Sequence, residues 1–470
     1  MCIYSIQELI MALWQPHLHD EASRKYLGIV QALESDIYAG RVKPGDRLPS
    51  QRAIAEALQV DLTTVTRAFN EARRRGLVEG NKGRGSFIRG AVEKKLISDK
   101  QALLDLSMNN PPQPVSANLQ QRIPEGIAGL IADQRRMLQL HYQDSAGNPV
   151  DREAAAHWLQ AKVANIHADR VLITGGAQSA LYAICHHLLI QGEYLATAEY
   201  TYPGLKAVSQ QLGCQLQAIA TDEQGIIPDA FEQSCQKNSI KALYVIPALD
   251  NPTTATIPLA RRKKIVEIAR RYKVAIIEDD PYSTLQTKPI EAFASLLPEL
   301  TWHIATLSKC ATPALRVAFI ITPNADDIEK LADVIRATQL MAPPLMCALV
   351  TRWIYDGSLD DIAQAIRQEN NARQQLAATI LKGWTYQADP DGHHLWLALP
   401  NNWLAADFAS HAEKMGVTIV PSSSFAITDK PIDAVRVSLG LATDLDSLTE
   451  ALTILTRLLS QTQRLTRAVV

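Results

Sequence analysis

At 470 residues, with 47% apolar residues and a formal net charge of −2, the chain is long enough for two or three domains that each bury a core. The near-neutral balance excludes a strongly basic or acidic protein as a whole, so any attraction to nucleic acid must come from a local segment. The six cysteines lack C-x-x-C spacing, which argues against a zinc cage or a disulfide framework and predicts reduced thiols in the cytoplasm.

The N-terminal run MCIYSIQELIMALW is apolar, but it contains Glu8, lacks a basic leader and is too short to span a bilayer. We therefore expect residues 1–25 to form a packed helix or arm.

A basic module follows, because residues 41–95 contain 13 Lys and Arg against six Asp and Glu. The apolar spacing of YLGIVQALESDIYAG predicts one helix that ends at Gly40. Ser50 can cap a second helix, QRAIAEALQV, and Asp61 can cap a third, LTTVTRAFNEARRRG, that ends at Gly76. LVEG and SFIRG are strand-like runs on either side of the glycine-rich tip NKGRG. The order predicts a helix-turn-helix followed by a hairpin wing.

Residues 26–90 resemble the winged helix-turn-helix of GntR-type bacterial repressors, whose pattern is matched by GRVKPGDRLPSQRAIAEALQV, TTVTRAFNEARRRGLVEG and GRGSFI. The family often has arginine or serine where Leu62 stands, and Arg67, one helical turn further on, can supply a phosphate or base contact instead. The alternative for the arginines is a solvated helix face, which we prefer for residues 73–75. The resemblance implies operator DNA, a double-stranded partner, and contacts to it from Arg52, Thr63, Thr64, Arg84 and Gly85.

Residues 91–105 are charged and lack turn signals, which predicts a linker. From residue 106 onward, helices rich in alanine, leucine and glutamine alternate with the short apolar runs VLIT, YLAT, ALYVIP, VAIIED and HIATLS. This alternation predicts an α/β domain with a mainly parallel sheet flanked by helices. Such sheets bind ligands at the carboxyl ends of their strands.

Four strand ends carry polar or aromatic residues. The glycines after VLIT precede a helix whose N-terminus can hold an anion, and the tyrosines of TAEYTYPGL can stack on a flat ring or fill the core. Asn251, in an extended loop before Pro252, can hydrogen-bond a ligand oxygen. The three adjacent acids of EDDPY are costly unless one of them meets a cation or proton donor, and a pyridinium nitrogen would serve.

Lys309 lies among small apolar residues in ATLSKCATPALRVAFI, where a charge is costly. A lysine in an apolar pocket has a depressed pKa and becomes a nucleophile that can form a Schiff base. Together with the four strand ends, Lys309 supplies what pyridoxal 5′-phosphate needs: an anion cradle, a stacking face, an oxygen partner and an acid for the ring nitrogen. The alternative is a snorkelling surface lysine.

Residues 106–470 resemble fold type I aminotransferases, which implies a smaller C-terminal α/β subdomain and a homodimer. The resemblance assigns the Schiff base to Lys309, catalytic roles to Asp279 and Tyr282 as well, and binding of the substrate carboxylate to Arg436. LDNPTT and PSSSF depart from the family pattern, which bears on substrate fit. The cofactor-binding positions are Gly176, Ala177, Gln178, Tyr202, Asn251, Asp279, Tyr282, Thr306, Ser308, Lys309 and Arg316.

The two domains in this order resemble MocR-type regulators. The resemblance implies a transcription regulator whose aminotransferase-like domain senses pyridoxal 5′-phosphate or a small amino compound through aldimine formation on Lys309. The alternative is an active aminotransferase tethered to DNA, because both functions need the same residues. A scaffold without cofactor is disfavoured, since it leaves Asn251, Asp279 and Lys309 unexplained.

Overall fold

The computed structural model describes residues 14, 25–38, 41–42, 45–74, 77–81, 85–88, 104–132 and 141–461. Its contacts divide the chain into two compact units, Met1–Ala102 and Leu103–Val470. No helix within the described ranges is long and apolar enough to cross a membrane. Several predicted features lie outside the described residues: most of the N-terminal arm, Gly40, Gly76, Arg84 and linker residues 91–103.

The N-terminal unit has three helices followed by a two-stranded antiparallel hairpin. Ser50 caps the second helix, since its Oγ accepts a hydrogen bond from the backbone N–H of Ala53 at 3.2 Å. Asp61 caps the third by accepting from the backbone N–H of Thr63 at 2.7 Å. The predicted helix-turn-helix and wing are confirmed, with α1 at Lys25–Tyr38, α2 at Gln51–Ala57, α3 at Leu62–Arg74, β1 at Val78–Asn81 and β2 at Gly85–Ile88.

One apolar core holds this unit together. Ile29 and Leu33 of α1 pack with Val65 and Phe69 of α3, and all four side chains are buried. Burying one face of α3 in this way leaves its opposite face in solvent, where polar side chains are available to a partner.

The larger unit contains a seven-stranded sheet in the order β4-β12-β11-β10-β9-β5-β6. β12 is antiparallel to both of its neighbours and every other pair is parallel, so the predicted mainly parallel sheet is confirmed. The apolar runs form strands because helices cover both faces of the sheet and bury them. The strands are β4 (Val171–Thr174), β5 (Tyr194–Ala198), β6 (Gln215–Ile219), β9 (Ile240–Val245), β10 (Ala275–Asp280), β11 (Thr301–Thr306) and β12 (Ala318–Ile321).

Helices connect and cover these strands. A short hairpin, β7 (Thr221–Asp222) and β8 (Gly225–Ile226), precedes the helix that begins at Pro228. The helices are α4 (Leu119–Ala132), α5 (Pro149–Leu159), α6 (Ala177–Leu188), α7 (Pro203–Leu212), α8 (Pro228–Lys237), α9 (Leu259–Tyr272), α10 (Phe293–Leu296), α11 (Asp326–Thr338), α12 (Pro344–Tyr355) and α13 (Ser358–Ile380).

A second, four-stranded antiparallel sheet in the order β13-β14-β17-β16 forms the smaller C-terminal subdomain. Its core includes Leu395, Phe408 and Leu452. The predicted linker ends earlier than residue 105, because its last two residues form β3 (Leu104–Asp105), which pairs in parallel with β15 (Val417–Thr418) of this subdomain. The remaining elements are β13 (Tyr386–Ala388), β14 (His394–Ala398), α14 (Ala405–Lys414), β16 (Val420–Pro421), β17 (Ala434–Ser438) and α15 (Leu445–Leu459).

Candidate functional site

A cavity of about 520 Å³ opens at the carboxyl ends of the central strands, next to β17. This is the edge at which open α/β sheets bind ligands. All twelve residues predicted from the sequence for the cofactor and substrate line this one cavity: Gly176, Ala177, Gln178, Tyr202, Asn251, Asp279, Tyr282, Thr306, Ser308, Lys309, Arg316 and Arg436.

One end of the cavity is suited to a phosphate. Gly176 caps the N-terminus of α6 with a φ of +114°, and a Cβ at this position would lie 2.8 Å from Nη2 of Arg316. Glycine is therefore required both by the backbone conformation and by the approach of the guanidinium. The hydroxyl of Thr306 donates to that of Ser308 at 3.2 Å. A helix N-terminus, a guanidinium and hydroxyls together favour an anion here.

Tyr202 forms a wall of the cavity. A Cβ on Gly204 would lie 2.2 Å from Cε1 of Tyr202, so glycine makes room for the ring. The side chain of Gln178 donates to the Gly204 carbonyl at 3.0 Å and holds this loop. The backbone N–H of Gln178 is therefore the group of this residue that is left to bind an anion. Tyr200 instead packs in the core, with its ring centroid 5.8 Å from that of Trp396.

The side chains of the three consecutive acids of β10 alternate between the two faces of the sheet. Asp279 lines the cavity, whereas the Glu278 carboxylate accepts from the backbone N–H groups of Phe293 and Ala294 at 2.8 and 2.9 Å. Burial alone would raise the pKa of Asp280, but Lys162 and neighbouring groups lower it below the ordinary value. Glu278 and Asp280 are thus satisfied by protein groups, and Asp279 is the acid available to a ligand.

Asp279 has one oxygen with a partner and one without. The hydroxyl of Tyr244 donates to Oδ2 of Asp279 at 2.7 Å, and Oδ1 is buried with no hydrogen-bond partner among the described residues. Tyr244 can reach it because β9 and β10 are paired with Tyr244 opposite Ile277, on the face that Asp279 shares. Burial raises the pKa of Asp279 to about 6, against the hydrogen bond from Tyr244. An unpaired buried carboxylate oxygen needs a proton donor, and a protonated ring nitrogen fits it.

Lys309 follows β11 and lines the same cavity. Burial lowers the pKa of its amine to about 8, and the positive charge of Arg436 acts in the same direction. The amine donates to the main-chain carbonyl of Asn109. The environment expected from the sequence is present, since roughly a tenth of the amine is neutral at pH 7 and can act as a nucleophile.

Arg436 lies on β17 and is 6% exposed. Its guanidinium donates to Oδ1 of Asn251 at 2.9 Å and to the main-chain carbonyl of Ser107. Burial lowers the pKa of Arg436 to about 10, so the side chain stays charged at neutral pH. Its Nε is buried without a partner among the described residues, which leaves a donor for a carboxylate.

Three neighbours of these residues are not apparent from sequence motifs: Asn109, Tyr244 and His394. Asn109 lies in LDLSMNNPPQP, where the change of composition indicates only the start of a domain. A tyrosine in the apolar run ALYVIP is ordinarily a core residue, and His394 has no spacing typical of a site. Alternation along one strand assigns a face to Tyr244 and to Asp279 separately, but only the register between β9 and β10 puts the two on one face.

In the N-terminal unit, the described DNA-contact candidates are on the surface. Arg52, Thr63, Arg67 and Gly85 are exposed and Thr64 is partly exposed. Thr63 and Arg67 are four residues apart on α3 and therefore share one face of the helix. Their contacts to DNA remain predictions, as do those of Arg84.

Comparison with known proteins covers both units. Residues 101–455 match the family described as aminotransferase class I and II, and residues 25–88 match the bacterial regulatory proteins of the gntR family. The uncharacterised HTH-type transcriptional regulator YdeF of Bacillus subtilis (strain 168) is 28% identical over 448 residues, which are 95% of this chain and 96% of YdeF.

Two further proteins extend the comparison. The vitamin B6 salvage pathway transcriptional repressor PtsJ of Salmonella typhimurium (strain LT2) is 26% identical over 425 residues, covering 88% of this chain and 94% of PtsJ. A crystal structure of kynurenine aminotransferase from Pyrococcus horikoshii, in complex with PMP, superposes with a TM-score of 0.71. It is 22% identical and covers 79% of this chain and 95% of its own, which shows the shared fold.

Proposed function

The chain belongs to the aminotransferase class I and II family and has a gntR-family domain at its N-terminus, and we propose that it is a transcription regulator that responds to the ligand state of the cavity. It is a DNA-binding regulator, and its cofactor is pyridoxal 5′-phosphate. We infer that the cofactor occupies the cavity around Lys309 and that a small amino compound or the cofactor itself is the effector.

One observation supports the response most directly. Lys309 and Arg436 both donate to main-chain carbonyls of a single short segment. These are the two basic side chains placed to react, as a neutral amine, with an aldehyde and to hold a carboxylate. These carbonyls belong to Asn109 and Ser107, which follow β3 and the predicted linker. A ligand that binds either side chain competes with the segment for it. Ligand state therefore changes what holds the chain immediately after the linker.

The residues of the cavity fit the cofactor and divide its requirements among them. Pyridoxal 5′-phosphate supplies an aldehyde that condenses with amines and an electron-withdrawing pyridine ring. Asp279, held in place by Tyr244, would accept a hydrogen bond from the protonated ring nitrogen. Arg316 and the N-terminus of α6 would hold the phosphate. Lys309 supplies the amine, and Arg436 would orient a carboxylate beside it.

We infer that the active form is a homodimer in the cytoplasm. The resemblance to fold type I aminotransferases implies the dimer, and a regulator has to reach DNA in the compartment where the DNA is. Sedimentation of the purified full chain, with and without cofactor, tests the dimer. A monomer under all conditions contradicts it.

The regulatory proposal is tested by measuring operator affinity for three forms of the full chain: without cofactor, with pyridoxal 5′-phosphate, and with cofactor plus amine. The name of PtsJ makes the cofactor itself the first effector to examine. Because coupling between two sites is reciprocal, DNA must change cofactor affinity by the same factor as cofactor changes DNA affinity. A typical coupling shifts operator binding by roughly 5–150-fold. Equal affinities for all three forms would refute the regulatory role.

A working aminotransferase is the second candidate, because all twelve residues expected for cofactor and substrate line one cavity. Sustained conversion of an amino donor and a keto acid over many turnovers, abolished by Lys309→Ala, would establish this activity. A single half-turnover that stops once the cofactor is converted would favour the regulator alone.

A further inference from the structure

The groups around Tyr282 determine on which side its hydroxyl accepts a hydrogen bond and on which side it can donate one. Tyr282 is 1% exposed and lines the cavity. Nδ2 of Asn109 donates to its Oη at 2.8 Å. Among the described residues, none accepts the proton of this hydroxyl. Whether that proton points into the cavity depends on which way the Asn109 amide faces.

A main-chain carbonyl settles the orientation. Nε2 of His394 lies 3.1 Å from the carbonyl oxygen of Asp250, and a carbonyl can only accept, so Nε2 must bear the proton. His394 is fully buried, and burial together with Arg436 lowers its pKa to about 3. The ring is therefore neutral and its Nδ1 is an acceptor.

The side-chain amide of Asn109 must therefore turn its nitrogen, and not its oxygen, toward His394 and Tyr282. Nδ2 of Asn109 lies 3.4 Å from the acceptor Nδ1 of His394, and only the NH₂ group can donate there. The same NH₂ group donates its other proton to Tyr282. The direction of every bond from the Asp250 carbonyl to Tyr282 is thereby determined, and the Tyr282 hydroxyl is an acceptor on this side.

We propose that Asn109 and His394 are positioning residues that direct the hydroxyl proton of Tyr282 into the cavity, toward an oxygen of the bound cofactor. The proposal rests on the proposed cofactor site but not on the response to DNA. It concerns three side chains that come from an extended segment after β3, from the start of β14 and from the turn after β10.

The pH titration of the bound chromophore reports this proton. A hydrogen bond donated to the phenolic oxygen of the cofactor stabilises its deprotonated form and lowers the midpoint of the absorbance titration. The titratable or charged groups near Tyr282 are Tyr202, Asp250, Asp279, Lys309, His393, His394 and Arg436.

The decisive variant is Asn109→Asp in the full chain loaded with pyridoxal 5′-phosphate. A carboxylate only accepts, so Tyr282 would turn its proton away from the cavity. We expect the midpoint to rise by about one to two pH units, the equivalent of one hydrogen bond to a charged group. Tyr282→Phe should raise it similarly, and the double variant should rise no further than Tyr282→Phe alone.

His394 gives a second, independent test. His394→Phe removes the acceptor and should raise the midpoint, whereas in His394→Asn the amide oxygen takes the place of Nδ1 and should restore a value near that of the wild type. Asn402→Asp and His411→Phe are matched controls, because both positions lie outside the cavity.

The outcomes separate the two proposals. If Tyr282→Phe raises the midpoint while Asn109→Asp leaves it at the wild-type value, the positioning role is wrong and the cofactor site stands. The same holds if His394→Asn behaves like His394→Phe. If the wild-type chain binds no cofactor, both proposals fall. Should Asn109→Asp fail to fold, the two His394 variants decide the matter.

Discussion

The cavity of the larger unit and the exposed face of α3 both use polar and cationic side chains, but in opposite environments. Asp279 and Arg436 are each 6% exposed, and burial raises the pKa of Asp279 and lowers that of Arg436. Arg52 and Arg67 are exposed to solvent. Interactions of buried charges are strong and specific to a partner, whereas exposed charges are screened by water and salt. Single substitutions should therefore have large effects on ligand binding in the cavity and smaller, salt-dependent effects on DNA binding.

The largest effect should come from Lys309→Ala. We expect complete loss of covalent cofactor attachment, because no other lysine lines the cavity among the described residues. Reduction with borohydride followed by peptide mapping measures it, with Lys264→Ala on the exposed face of α9 as the control. Cofactor trapped on a different lysine would contradict the assignment.

Asp279→Asn should weaken the binding of pyridoxal 5′-phosphate by about 2–5 kcal/mol, because one partner of a buried charge pair loses its charge. The matched control is Asp280→Asn, one residue away on the opposite face of β10, which should leave cofactor affinity nearly unchanged. Equilibrium titration of the two variants compares them directly. If Asp280→Asn loses more affinity than Asp279→Asn, the acid that faces the cofactor has been misassigned.

The residues of the cavity differ in how far the sequence predicts them. Asp279 lies at the end of a strand, and Lys309 and Asn251 follow strands, so local patterns place all three at one edge of a parallel sheet. The role of Tyr244 depends on the register that sets it opposite Ile277, which no local pattern contains. Asn109 is 200 positions from Lys309 and 285 from His394 along the chain, and only the packed structure brings the three together. The fold was predictable from alternating elements, but the groups that orient the predicted residues depend on long-range packing.

In the exposed N-terminal unit, Arg52→Ala should weaken operator binding by about 1–3 kcal/mol if Arg52 contacts a base. The loss should then differ between operator variants. Arg73 lies near the far end of α3, where its guanidinium donates to the Ser86 hydroxyl at 3.4 Å. Arg73→Ala should therefore cost less and affect all sequences alike. Binding to the operator, to a point-mutated operator and to random duplex over a salt series distinguishes the two. Equal, small losses would mean that Arg52 belongs to a solvated face.

The smallest effect concerns pH and separates a buried lysine from an exposed one. With a pKa of about 8, roughly a tenth of the Lys309 amine is neutral at pH 7 and half at pH 8. The rate at which cofactor-free protein captures pyridoxal 5′-phosphate should therefore rise about fivefold over this interval and level off above pH 9. An exposed lysine, with a pKa near 10.4, would give a rate that keeps rising about tenfold per pH unit up to pH 10. Burial destabilises the ammonium form and so lowers this pKa. The neutral amine, which is the nucleophile, therefore becomes the main form at a lower pH than in an exposed lysine. Stopped-flow absorbance measures the profile, and a midpoint near 10 would show that the lysine is solvated in the cofactor-free protein.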